Sequence, residues 1–142
     1  MNNLNILLLG ETGVGKSTWI NGFTNYMTCS SLEDAREKKR LLIPMQFELI
    51  IDCEVHPIST GTDDNESAVV VDSVTQSPKS YLFQTDDVVV RLIDTPGVGD
   101  TRGYDQDKKN FENTLRCIAQ LDELHGIAIL LKTDHSRINI TF

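Results

Sequence analysis

Apolar positions divide the chain into blocks with two different periods. Residues 4–9 form a nearly continuous apolar run that stops at Gly10, the pattern of a strand buried in a parallel sheet. From Lys16 the period becomes helical, with Trp19, Ile20, Phe23 and Met27 falling on one face. The charged stretch 30–40 reads as a solvated segment in which Ser31 caps a short helix, with Asp34 three residues on. Leu41, Leu42 and Ile43, then residues 47–51, suggest a strand or strand pair, with Pro44 at an edge or boundary.

Residues 56–80 are the least patterned part of the chain. Pro57, Gly61, Pro78 and a polar run through Ser67 predict a long loop, interrupted by Val69, Val70 and Val71 as a short strand. Residues 81–83 and 88–93 predict a hairpin turning at Asp86 and Asp87. Residues 105–125 predict a helix burying Phe111, Leu115, Ile118 and Leu121, with Gly126 at its C′ position. Residues 127–131 are a last apolar strand. Strands alternating with helices in this way predict an α/β fold around a mostly parallel sheet.

Composition narrows this picture. A chain of 142 residues fits one domain, and 39% apolar with 24% charged residues is enough to build a core. The formal net charge of −8 argues against general electrostatic binding to nucleic acid or an anionic membrane. An acidic chain can still hold a polyanion through a focused local site. Cys29, Cys53 and Cys117 are widely spaced and odd in number, which fits reduced thiols and a cytoplasmic protein. No apolar run approaches the length of a membrane span.

Such a focused site is encoded between the first strand and the first helix. Gly10-Glu11-Thr12-Gly13-Val14-Gly15-Lys16-Ser17 matches G-x-x-x-x-G-K-[ST], the P-loop that grips nucleotide phosphates. The glycines allow positive φ and close backbone approach, so successive N–H groups can form an anion nest. The helix opening at Lys16, Ser17 and Thr18 adds its positive N-terminal end. Lys16 offers an ammonium to the β- and γ-phosphates, and Ser17 a hydroxyl to Mg²⁺. A second motif, Asp94-Thr95-Pro96-Gly97, also ends an apolar strand. Ligands of open α/β sheets bind outside the carboxyl ends of strands, so both motifs converge there. Asp94 is placed to hold Mg²⁺ through water and the Gly97 N–H to meet a γ-phosphate.

Residues 7–18 (LLLGETGVGKST) with 92–103 (LIDTPGVGDTRG) resemble the G domain of septin-like and immune-associated (IMAP-type) GTPases. The resemblance spans residues 4–135, and its specific matches are confined to these motifs. It implies a P-loop NTPase three-layer sandwich, with Mg²⁺ as cofactor and GTP as ligand. The chain then divides into a P-loop at 10–17, a first switch loop at about 56–80 and a second at 94–104. Ser73, Val74 and Thr75 resemble the family's G2 element, which implies that Thr75 reaches Mg²⁺ and the γ-phosphate. Thr60, Thr62 and Thr85 compete for that role. The metal ligands implied are thus Ser17, Thr75 and Asp94, and the catalytic groups Lys16, Thr75 and Gly97. The resemblance also implies association of two or more copies through the nucleotide face.

Two departures limit the expected activity. Val98 stands where Ras-type enzymes carry a water-orienting glutamine, which predicts slow hydrolysis or help from another group such as Arg102. The guanine-reading [NT]KxD element has only Leu131-Lys132-Thr133-Asp134 as an approximate match, one βα unit too early. The expectation is therefore a G domain incomplete at its C-terminal side, with GTP preferred over ATP by resemblance alone. It would act as a slow nucleotide switch or, alternatively, as an assembly module stabilised by nucleotide with negligible turnover, or be a non-functional G-domain fragment.

Overall fold

The computed structural model describes residues 2–60, 75, 77–99 and 104–132. The elements run β1 (Asn2–Gly10), α1 (Lys16–Thr28), α2 (Leu32–Glu37), β2 (Met45–Ile51), β3 (Glu54–Thr60), β4 (Lys79–Gln84), β5 (Val88–Asp94), α3 (Tyr104–Ile118) and β6 (Gly126–Leu130). The fold is mixed α/β. Its main sheet has the order β4-β5-β1-β6, while β2 and β3 form a separate antiparallel ribbon. β1 runs parallel to both β5 and β6, and β4 is antiparallel to β5.

Alternation along each strand sends one set of side chains to α1. Leu8, Ile20, Ile43, Tyr81, Phe83 and Leu92 form the buried cluster, with Ile6, Phe23, Met27, Val90, Ala128 and Leu130 packed against it. Burying a side chain such as Leu8 or Leu92, both 0% exposed, stabilises by about 1.5–3 kcal/mol. Phe23 meets Phe83 edge to face at 4.9 Å. Trp19, expected inside, is 42% exposed and stacks on Phe23 instead. The opposite sheet face buries Leu7 and Ile93 but leaves Ile127 and Ile129 on the outermost strand more than half exposed.

The stretch expected to open with a strand at Leu41 is held by side chains. Asn21 on α1 donates to the Ile43 carbonyl and accepts from the amides of Leu42 and Ile43, at 2.8–2.9 Å. One turn on, Asn25 does the same for Arg40. These bonds seat Ile43 in the core without a sheet ladder. Asn21→Ala would strand the buried amide and carbonyl of Ile43 and the part-buried amide of Leu42, and is expected to lower stability by about 2–4 kcal/mol. It should shift the urea midpoint at unchanged slope. Asn25→Ala, at the exposed end of the clasp, should shift the midpoint less.

Several expected boundaries move. The first switch loop does not begin at 56, because residues 54–60 pair with β2 as β3. The turn residues Asp52 and Cys53 both have positive φ (51° and 66°), which suits a tight two-residue hairpin loop. Pro57 concealed this strand, yet a two-stranded ribbon has an outer side that tolerates a missing N–H. At the other end of that loop, Lys79 and Ser80 belong to β4. The β4–β5 hairpin turns as expected, with Thr85 bonded to Val88 across it.

The last helix stops at Ile118, short of 125, and Gly126 begins β6 rather than capping a helix. Its inward residues are Asn110 and Thr114, while Phe111 and Leu115 are 63% and 49% exposed. The apolar stripe was legible from the period, but not which stripe turns inward. Ser31 caps α2 by accepting from the Asp34 amide, and Asp34 answers to the Ser30 amide, one residue earlier than a standard capping box. Thr62, Val69, Val70, Val71, Ser73, Val74, Arg102, Thr133 and Asp134 lie outside the described residues. Among those described, no helix is long and apolar enough to cross a membrane.

Candidate functional site

The site lies where β1 and β5 end. β1 ends at Gly10 and α1 begins at Lys16, so residues 11–15 form a short glycine loop at the strand's carboxyl end. Gly13 (φ 73°) and Gly15 (φ 99°) take left-handed conformations that turn the chain into the helix. Gly15 is the N-cap, no side chain caps the first turn, and no acidic residue lies within it. The positive end of α1 is therefore left to an outside acceptor.

Lys16 is only 6% exposed. Its ammonium curls back over the loop and donates to the carbonyls of Gly10 (2.9 Å) and Glu11 (3.1 Å). Burial pushes its pKa below the ordinary lysine value, and the nearby Asp94 carboxylate partly restores it. Asp94 ends β5 and is fully buried. Burial pushes its carboxyl above the usual range, against the pull of Ser17, Lys16, the Thr95 backbone and Thr75.

Thr75 is brought into this cluster from far along the chain. Its hydroxyl lies 3.3 Å from the Ser17 hydroxyl and 3.4 Å from Asp94 Oδ2, and Ser17 donates to the same oxygen at 2.9 Å. Of its competitors, Thr85 is committed to the β4–β5 turn and Thr60 ends β3. Ser17, Thr75 and Asp94 thus meet as three oxygen donors, and the second carboxylate oxygen of Asp94 is buried with no hydrogen-bond partner among the described residues.

Two contacts escaped the sequence reading. Thr95, 1% exposed, donates its hydroxyl to the Leu8 carbonyl at 2.7 Å, just past the last β1–β5 pair. Val98 is bound through its backbone: its amide donates to Gly10 O (3.2 Å), and the Thr12 amide donates to Val98 O (3.1 Å). Gly97 lies so close to Thr12 that an added Cβ would collide with the Thr12 backbone. A polar residue beside the buried aspartate was the available signal for Thr95. Nothing local marked the Val98 bridge.

Thr12, Gly13, Val14 and Thr18 complete the loop and first helical turn as expected, with Glu11 reached by Lys132 at 3.7 Å from the end of β6. No protein-family model matches the chain, and no curated protein matches it.

The raised pKa of Asp94 has a measurable consequence. Between the ordinary carboxylate value and the raised one, the folded state binds more protons than the unfolded state. Stability from this group therefore falls as pH rises through that window and levels off above it. Asp94→Asn removes the buried charge and is expected to raise the thermal midpoint of ligand-free protein at neutral pH. The gain over wild type should shrink on acidification. A lower midpoint at neutral pH would count against a destabilising buried carboxylate.

Proposed function

We propose that this chain is a P-loop GTP-binding protein with the three-layer NTPase architecture of septin-like and IMAP-type G domains. It binds GTP with Mg²⁺ and hydrolyses it slowly, as a nucleotide-dependent switch. The observation that carries this reading is the buried Asp94 oxygen without a partner, set among Ser17 and Thr75 beside an uncapped helix and its glycine loop. A buried charge of this kind is costly unless a ligand completes it. Hard oxygen donors suit Mg²⁺, so the residues present fit that ion.

On this reading the glycine loop and α1 hold the phosphates, and Lys16 leaves its carbonyls to meet the β- and γ-oxygens. Ser17, Thr75 and Asp94 hold Mg²⁺, directly or through water. The ion, when bound, neutralises charge that builds on the phosphates. Gly97 brings its N–H toward the terminal phosphate, and Thr95 anchors that segment to β1. Val98 supplies no side-chain hydrogen bond to water, which supports slow unaided turnover.

The direct test is equilibrium binding of a fluorescent GTP analogue, with Mg²⁺ and with EDTA, competed by GTP, ATP and pyrophosphate. Saturable, Mg²⁺-dependent binding competed better by GTP than by ATP is expected. A folded chain that retains no nucleotide would refute the reading. An assembly module is the second reading, supported by Val98 together with the exposed Phe111, Leu115, Ile127 and Ile129. Nucleotide-dependent sedimentation without phosphate release would favour it over the switch.

A further inference from the structure

We propose that the Thr12 hydroxyl is a ligand for the terminal phosphate, and that it lets the site distinguish a nucleoside triphosphate from a diphosphate. This rests on the nucleotide-binding reading above and assigns a side chain that the glycine-loop pattern leaves open, since that pattern uses the loop's backbone.

The first observation is that Thr12 Oγ1 is buried and has no hydrogen-bond partner among the described residues. Alanine or valine would leave no hydroxyl unmet here, whereas an unmet buried hydroxyl costs about 1–3 kcal/mol. Such a group is explained when a ligand supplies its partner.

The second observation is that Thr12 is held in place. Its amide donates to Val98 O at 3.1 Å, and its Cα and hydroxyl lie where a Cβ on residue 97 would stand. A β-branched side chain has few χ1 choices, so the hydroxyl is confined between the glycine loop and the end of β5. The two preceding residues, Gly10 and Glu11, hold the Lys16 ammonium through their carbonyls. The hydroxyl therefore faces the segment after Asp94, on a loop whose two preceding carbonyls hold the ammonium.

The chemistry of the missing partner follows from what surrounds it. The carbonyls of Gly10 and Glu11 already accept from Lys16, and also from the Val98 and Val14 amides respectively. While the ammonium sits on them they have no lone pair left for a third donor. The incoming group must bring its own acceptor and tolerate an ammonium, which describes a phosphate oxygen. The hydroxyl adjoins Gly97 rather than the first turn of α1, so it suits the outermost phosphate. Val98, next to Gly97, brings no competing side-chain donor.

The test compares wild type, Thr12→Val and Thr12→Ser for binding of GDP and of a non-hydrolysable GTP analogue in Mg²⁺ by calorimetry, with thermal midpoints of the ligand-free proteins. Thr12→Val should weaken the triphosphate about tenfold or more and leave GDP within about twofold, as expected for one hydrogen bond to a charged oxygen. Thr12→Ser should restore the preference. The ligand-free midpoint of Thr12→Val should equal or exceed wild type, because the change removes an unmet hydroxyl. Equal loss for both nucleotides, no loss for either, or a lowered midpoint that serine restores would each overturn the assignment while leaving nucleotide binding intact. If wild type binds neither nucleotide, the underlying reading falls and the assignment with it.

Discussion

Gly97→Ala is expected to destabilise the protein by about 3–5 kcal/mol and, on the proposed function, to abolish nucleotide binding. A Cβ at Gly97 would meet the hydroxyl, Cα and backbone nitrogen of Thr12. Two of those atoms are main chain and cannot swing aside as a flexible side chain can. Relief requires residues 97–98 to leave the glycine loop, which breaks the Thr12–Val98 and Val98–Gly10 hydrogen bonds (3.1 and 3.2 Å). The estimate combines overpacking of about 1–3 kcal/mol with two bonds of about 1 kcal/mol each. Gly99 is the internal control. It has a positive φ of 73° but open space at its Cβ position, so Gly99→Ala should cost only about 1 kcal/mol. Urea denaturation of both variants decides the matter. If Gly97→Ala unfolds at the Gly99→Ala midpoint, the packing of Gly97 on Thr12 does not hold.

Lys16→Met should separate binding from stability. Nucleotide affinity is expected to fall about 100-fold or more, because charge-assisted bonds to phosphate are each worth about 1.5–3 kcal/mol. The free protein, in contrast, should change little in stability at neutral pH, because relief of the buried ammonium is offset by the loss of its pull on the Asp94 carboxylate. The ammonium is buried at a cost, which is why its pKa is lowered. The two carbonyls it touches each accept a backbone amide as well, so neither is orphaned when it goes. Methionine keeps most of the volume. One consequence is coupled: without the ammonium, the Asp94 carboxyl should rise further, because Lys16 helps to hold it down. Calorimetric binding and thermal melts on one preparation test both halves. A variant that binds normally would remove Lys16 from the phosphate site. One that melts far below wild type would make Lys16 a structural residue.

Much of the site was legible because its signals are local. The run into Gly10, the positive-φ glycines at 13 and 15, and the change to a helical period at Lys16 all depend on neighbours a few residues away. The same holds for the β4–β5 turn and the Ser31 cap. Legibility ended where a partner lies far along the chain. β3 was hidden for a local reason instead, since Pro57 masked a strand that pairs with β2 through the two-residue turn at Asp52 and Cys53. The period of α3 showed an apolar stripe, while the side that turns inward, Asn110 and Thr114, depends on how the rest of the chain holds the helix.

By itself, then, the sequence determined the glycine loop, the strands that carry it and the aspartate that ends β5, since backbone conformation and burial period are written in adjacent residues. Only the tertiary structure decided that Thr75, 58 positions from Ser17, joins it at Asp94. It also decided that Val98 ties back to Gly10 and Thr12, and that the Thr12 hydroxyl is left without a partner among the described residues. Those facts are distances between segments brought together by sheet order. A pattern along one strand or helix carries no record of them.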